Sequence, residues 1–245
     1  MHLTRTVLTM RLLVSLAFLL LIASCNENTH LKGITHRIGP SVNETLLKPY
    51  TEVLATIETR RKLFARDYQD VNHKKHVIDS VSAYWISAFD ELYHHWKGTP
   101  WDFNGVTQKP GQGNIACGYF VTTLLQHMGY KLDRIKLSTC ASLTMMRQLA
   151  PEQTPMNLSK LSYSDFTQKI KTSGKAMYVT GLDYHTGFLL NDGTESWFIH
   201  SNYIGRQGVM KEKIDESAAL RSSKTRYVIT LTADTSFLLR WMSIK

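Results

Sequence analysis

One dipeptide constrains this chain more than any other feature. Asp192-Gly193 stands between two apolar runs, 185–191 and 195–203. An Asp-Gly pair in that setting is the strongest short-range signal for a tight β-hairpin. It predicts that Asn191 faces Thr194. Outward from there, Phe188 faces Trp197, Gly187 faces Phe198 and His185 faces His200. Directly opposed residues share one face, with Cβ atoms about 4.5–5.5 Å apart. The turn alone therefore places two histidines side by side, and a longer loop would shift that register. Such a pair has three readings: a structural contact, a metal site, or a base with its orienting partner. A metal would need Asp183 or Cys117 as a further ligand.

The sequence around the hairpin supplies more short β runs, at 176–182, 208–213 and 226–232. Upstream the texture is helical. Residues 43–68 carry Leu46, Leu47, Tyr50, Val53, Leu54, Ile57, Phe64 and Tyr68 at helical spacing, with Pro49 expected in the first turn. A second helix is predicted over 75–96, with Val77, Val81, Trp85, Phe89 and Leu92 on its apolar side. His94 and His95 close it; neighbours on a helix diverge, so they read as surface groups that complement the C-terminal dipole. Gly98-Thr99-Pro100 stops it. Residues 133–173 mix helix and loop. Helices first and strands second imply an α+β fold with helices packed on an antiparallel sheet.

Cys117 lies between a glycine-rich loop, 104–113, and the apolar run 115–125, which ends near Gly129. That is a helix N-terminus, where the dipole favours thiolate, the reactive form. An adjacent imidazole could take the proton. Gly118 would let a substrate carbonyl approach the backbone and an N–H stabilise an oxyanion. Cys140, among Ser138, Thr139, Ala141 and Ser142, has no base in the sequence nearby and reads as packing.

Three cysteines in 245 residues are too few for a disulfide scaffold. The first has another use. Arg5 and Arg11 flank a leader whose apolar stretch, 12–22, runs into Ala23-Ser24-Cys25. This ending resembles the lipobox of bacterial lipoproteins. The resemblance implies a signal peptide at 1–24, lipid on Cys25 and a polar tether over 25–41. Loss of the leader lowers the formal charge from +9 to +7. A basic domain outside the cytoplasm points to anionic lipid or wall polymer and away from nucleic acid. Asn26 after the cysteine is not the aspartate that holds some lipoproteins at the inner membrane, so the expected place is the outer membrane, facing the periplasm.

A second resemblance rests on Gly98-Thr99-Pro100-Trp101-Asp102-Phe103-Asn104-Gly105, on Ala116-Cys117-Gly118-Tyr119-Phe120-Val121, on His185-Thr186-Gly187-Phe188-Leu189-Leu190 and on Phe198-Ile199-His200-Ser201. Together these segments are similar to NlpC-type cell-wall cysteine peptidases, over roughly residues 98–205. The resemblance implies a papain-like domain at 98–245 behind a helical extension at 42–97. It implies a triad of nucleophile Cys117, base His185 and orienting His200, with Trp101 and Gly118 at the substrate or oxyanion side. It implies no cofactor and no metal. Peptidoglycan stem peptides would be the substrate. Ala116 replaces the family's aspartate, Gly118 its serine, Tyr119 its glycine and Trp101 its tyrosine. These departures alter the substrate-facing walls, so the family's usual cleavage site does not transfer. A noncatalytic binding module, or a thiol acyl hydrolase or transferase, are the alternative functions.

Overall fold

A computed structural model describes residues 47–243. The expected leader, tether and Cys25 lie outside the described residues. Two long helices come first, α1 (Tyr50–Asp67) and α2 (Lys74–Trp96). They are followed by α3 (Cys117–His127), α4 (Arg134–Thr139) and α5 (Ser142–Leu149). A two-residue strand β1 (Met156–Asn157) and helix α6 (Tyr163–Thr172) lead into the sheet. Its main strands are β2 (Ala176–Gly181), β3 (Thr186–Asn191), β4 (Ser196–Asn202) and β5 (Gly208–Lys213). Helix α7 (Ala218–Ser222), strand β6 (Tyr227–Thr230) and helix α8 (Thr235–Trp241) complete the chain. The six strands run in the order β1-β6-β2-β3-β4-β5, and every pairing is antiparallel. The fold is α+β.

Both faces of this sheet are covered. On one, Met177, Val179, Phe188, Leu190, Ile199 and Ile229 pack against α1, α2, α3, α5 and α8. On the other, Tyr178, Leu189, Phe198 and Val228 pack against Phe166 and Ile170 of α6 and Leu220 of α7. Strands buried on both sides have no polar face to show, which explains why β2 and β3 are buried throughout.

The apolar spacing of α2 brings Val81, Trp85, Phe89, Leu92 and Trp96 to one buried side. Phe89 meets Phe188 of β3 edge to face, at 4.6 Å between ring centroids, and Trp96 meets Phe120 of α3 at 6.3 Å. Val53, Ile57 and Phe64 of α1 join the same cluster, so the first two helices share the core of the sheet, and the described residues 47–243 lie in one compact unit. No seam separates a helical extension at 97 from a domain beginning at 98. Pro49 sits one residue outside α1, where its missing N–H costs nothing, and its carbonyl accepts from Glu52 and Val53. Among the described residues, no helix is long and apolar enough to cross a membrane.

Candidate active site

The hairpin forms at the expected place but with a longer loop. Asn191 pairs with Ser196, and Phe188 with Ile199. Asp192 is the cause. Its carboxylate accepts the N–H groups of Thr194 and Glu195, each at 2.8 Å, and the Trp197 indole N–H at 2.9 Å. These bonds fold 192–195 into a four-residue loop, with Gly193 at φ +95°. The register expected from a two-residue loop is thus displaced by two, and Phe188 does not face Trp197. A shift of two leaves every side chain on its original face, because strands alternate with period two. His185 and His200 therefore still share a face, as diagonal neighbours.

Their rings meet directly. His185 Nε2 lies 2.7 Å from His200 Nδ1, with the rings edge to face. Gly187 makes this possible: a Cβ there would lie 2.8 Å from the His200 Cβ and 2.7 Å from the Phe198 ring. Phe198 in turn stacks on His200 at 4.0 Å. The chain of contacts continues into β5. Glu212 opposes Phe198 and reaches diagonally to His200 Nε2, at 3.1 Å. The sequence reading missed Glu212. Only the β4–β5 register, set by the loop at 203–207, brings it to the histidines.

The electrostatics follow from burial. Burial, with His200 adding to it, pushes the His185 imidazole well below its ordinary range. Burial also lowers His200, although the Glu212 bond and charge pull the other way. Glu212 is raised by burial, but bonds from His200 and Ser217 more than offset this and hold its carboxyl below the ordinary range. At neutral pH both rings are neutral and Glu212 is ionised. His185 Nδ1 is buried and has no hydrogen-bond partner.

Cys117 opens α3 and faces the backbone of Thr186, the residue after His185. The backbone N–H groups of Thr186, Gly118 and Cys117 itself lie close enough to its sulfur to favour the thiolate. Two bonds fix this docking. Ser201 Oγ donates to the Ile115 carbonyl at 2.7 Å, and the Ile115 N–H donates to Pro100 at 2.9 Å. Burial pushes the Cys117 thiol up, and the three N–H groups only partly reverse that. The helix N-terminus does not leave a resting thiolate here, because the sulfur has lost its water. Thiol and imidazole are both neutral at rest.

The other expected site residues divide. The space at Gly118 faces the Ser138 carbonyl of α4, with which a Cβ would collide. Its small size serves the crossing of α4 over α3, and its contribution to the site is the N–H. Trp101 stands at the rim. Its ring is 6.4 Å from that of Tyr203, which lies 5.0 Å from the His185 ring. Arg206 spans the Trp101 face at 5.8 Å and pairs with Asp102 at 2.6 Å. Arg206 does so from a left-handed backbone, φ +54°, a strained state for a residue with a Cβ. Cys140 is a free, half-buried cysteine whose thiol donates to the Leu137 carbonyl. His94 is exposed, and its ring bonds the Asp90 carbonyl. His95 packs on Tyr50 at 5.1 Å, with a buried Nε2 that has no partner. Asp183 is committed to the N–H groups of Lys224 and Thr225. Among the described residues, no three His, Cys, Asp or Glu side chains converge as metal ligands.

The arrangement offers a thiol facing the strand that carries a neutral imidazole with a free nitrogen, and a second imidazole and a carboxylate behind that imidazole. Such a set is suited to moving one proton off sulfur and back. Compared with known proteins, the chain matches no family model, no curated protein and no solved structure.

Proposed function

We propose that this protein is a thiol hydrolase of a papain-like, NlpC-type fold that cleaves an amide bond in peptidoglycan stem peptides. The observation that carries the reading is the placement of Cys117, first residue of a buried helix, against Thr186, with His185 bonded behind to His200. Substrate attack and proton transfer occur together. The Cys117 proton passes to His185 Nδ1 as sulfur bonds to the carbonyl carbon. The oxyanion is held by the backbone N–H groups of Cys117 and Gly118 at the start of α3, which the sulfur gives up as it bonds to carbon. Collapse breaks the C–N bond, and the leaving amine takes the proton from His185. Water, deprotonated by the same nitrogen, then releases the acyl group from sulfur. His200 orients His185 throughout, the role of the third member of a triad.

Trp101, Tyr203 and Arg206 form the wall beside the base and set which peptide enters. The lipid on Cys25 would tether this basic domain to the periplasmic face of the outer membrane. The burial that raises the Cys117 thiol favours a second reading, a module that binds stem peptides without cutting them.

An electrophilic probe separates the two. A stem-peptide analogue ending in an acyloxymethyl ketone should alkylate Cys117 rapidly in the wild type and slowly in His185→Ala. Equal, slow labelling of Cys117 and Cys140, unaffected by His185→Ala, would favour the binding module.

A further inference from the structure

We infer that Glu212 is a positioning residue that fixes the proton arrangement of both histidines, so that Nδ1, the His185 nitrogen with no partner in the protein, is the bare lone pair. The inference rests on the hydrolase reading for its consequence, but its physical content is a tautomer.

The argument runs from β5 inward, one atom at a time. A carboxylate is an acceptor only. Glu212 Oε1 lies 3.1 Å from His200 Nε2, so that nitrogen carries the hydrogen. A neutral imidazole holds one N–H and one lone pair. His200 Nδ1 is therefore the lone pair, and it accepts across 2.7 Å from His185 Nε2. His185 Nε2 is then the N–H, and His185 Nδ1 is the free lone pair. That nitrogen is the one with no partner in the protein. With both imidazoles neutral, each step follows from the one before it, and the first is set by Glu212.

The carboxylate is itself held. Ser217, fully buried at the N-terminus of α7, accepts the Leu220 N–H through its oxygen, and its hydroxyl helps to keep the Glu212 carboxyl ionised. Glu212 is mostly covered, with 16% of its side chain exposed, and His200 has none exposed. Water has little access to reset the arrangement. A merely structural Glu212 would need no particular proton on His200. A positioning Glu212 requires one.

The test uses the full-length protein labelled with 15N at histidine, whose ring-nitrogen resonances separate protonated from bare nitrogen. In the wild type, His185 should show a bare Nδ1 and a protonated Nε2. In Glu212→Gln, the amide can present an N–H to His200 Nε2. A population with the reversed order should then appear, with His185 Nδ1 protonated. Hydrolysis of stem-peptide fragments should fall roughly a hundredfold in kcat at little-changed KM, the size of a lost base. Glu212→Asp should keep the wild-type tautomer and recover part of the rate.

A wild-type His185 with its proton on Nδ1 overturns the inference, whatever the variants do. So does Glu212→Gln with a wild-type tautomer and wild-type kcat. If the wild type cuts no fragment at all, the hydrolase reading fails while the resonances still decide the role of Glu212. If Glu212→Gln does not fold, the wild-type spectrum alone remains decisive.

Discussion

The hydroxyl of Ser201 donates to the carbonyl of Ile115 across 2.7 Å, in the buried interior. The two residues are far apart in the chain, yet each stands close to a member of the site. Ser201 follows His200 on β4, and Ile115 precedes Cys117 by two. This bond ties the strand that carries the histidine to the segment that aims the thiol. Ser201→Ala would leave a buried carbonyl unpaired, at a cost of about 1–3 kcal/mol. The urea midpoint should fall accordingly, and Cys117 labelling by the electrophilic probe should slow. An unchanged midpoint would mean that water replaces the hydroxyl.

Gly187→Ala tests the diagonal between the histidines. The new methyl would press on the Phe198 ring and the His200 Cβ at under 3 Å. Overpacking of this kind costs about 1–3 kcal/mol. The thermal midpoint should drop, and the His185–His200 bond should lengthen, visible as faster exchange of its ring proton.

Acidification should weaken the fold through its buried histidines. Tyr50 donates to His127 Nδ1 at 2.6 Å while accepting the Trp96 indole N–H at 2.7 Å. Burial first, then Arg134, lowers His127 from 6.5 to about 4. The unfolded chain takes up that proton near pH 6.5, whereas the folded one waits until about 4. In that window the unfolded state binds more protons, so stability falls as pH falls. His185 and His200, also lowered, act in the same direction. Urea midpoints at pH 7.5 and 5 should show the loss. His127→Gln keeps an acceptor for Tyr50 but takes up no proton, so it should flatten part of the slope.

Arg206 offers a test of strain at the rim. Its left-handed backbone is one that glycine adopts freely. Its exposed pair with Asp102 is worth about 0–1 kcal/mol. Arg206→Gly and Arg206→Ala both lose the pair, but only the glycine relieves the backbone. Arg206→Gly should therefore be the more stable of the two by about 1 kcal/mol. Equal unfolding free energies would show that the loop relaxes on its own.

Much of this site is legible in the sequence because it depends on parity and on helix ends. Asp192-Gly193 announces the hairpin, and alternation keeps His185 and His200 on one face whether the loop has two residues or four. The loop length itself is not legible, since it is set by how many N–H groups the Asp192 side chain gathers. Glu212 is invisible for a related reason: its diagonal to His200 depends on the register across the 203–207 loop, which carries no turn signal as strong as Asp-Gly. The thiol was expected low from its helix position and lies high, because the sequence gives the dipole but not the depth of burial. The first two helices read as an addition in the sequence, and only the tertiary contacts of Phe89 and Trp96 in α2 and of Val53, Ile57 and Phe64 in α1 show them to be core.

The central claim is that Cys117 breaks an amide bond. Purified peptidoglycan fragments, incubated with wild type and with Cys117→Ala and read by mass spectrometry, test it most directly. The account predicts new stem-peptide products with the wild type and none with Cys117→Ala, at a thermal midpoint that is nearly unchanged. Cleavage by Cys117→Ala at the wild-type rate would contradict it.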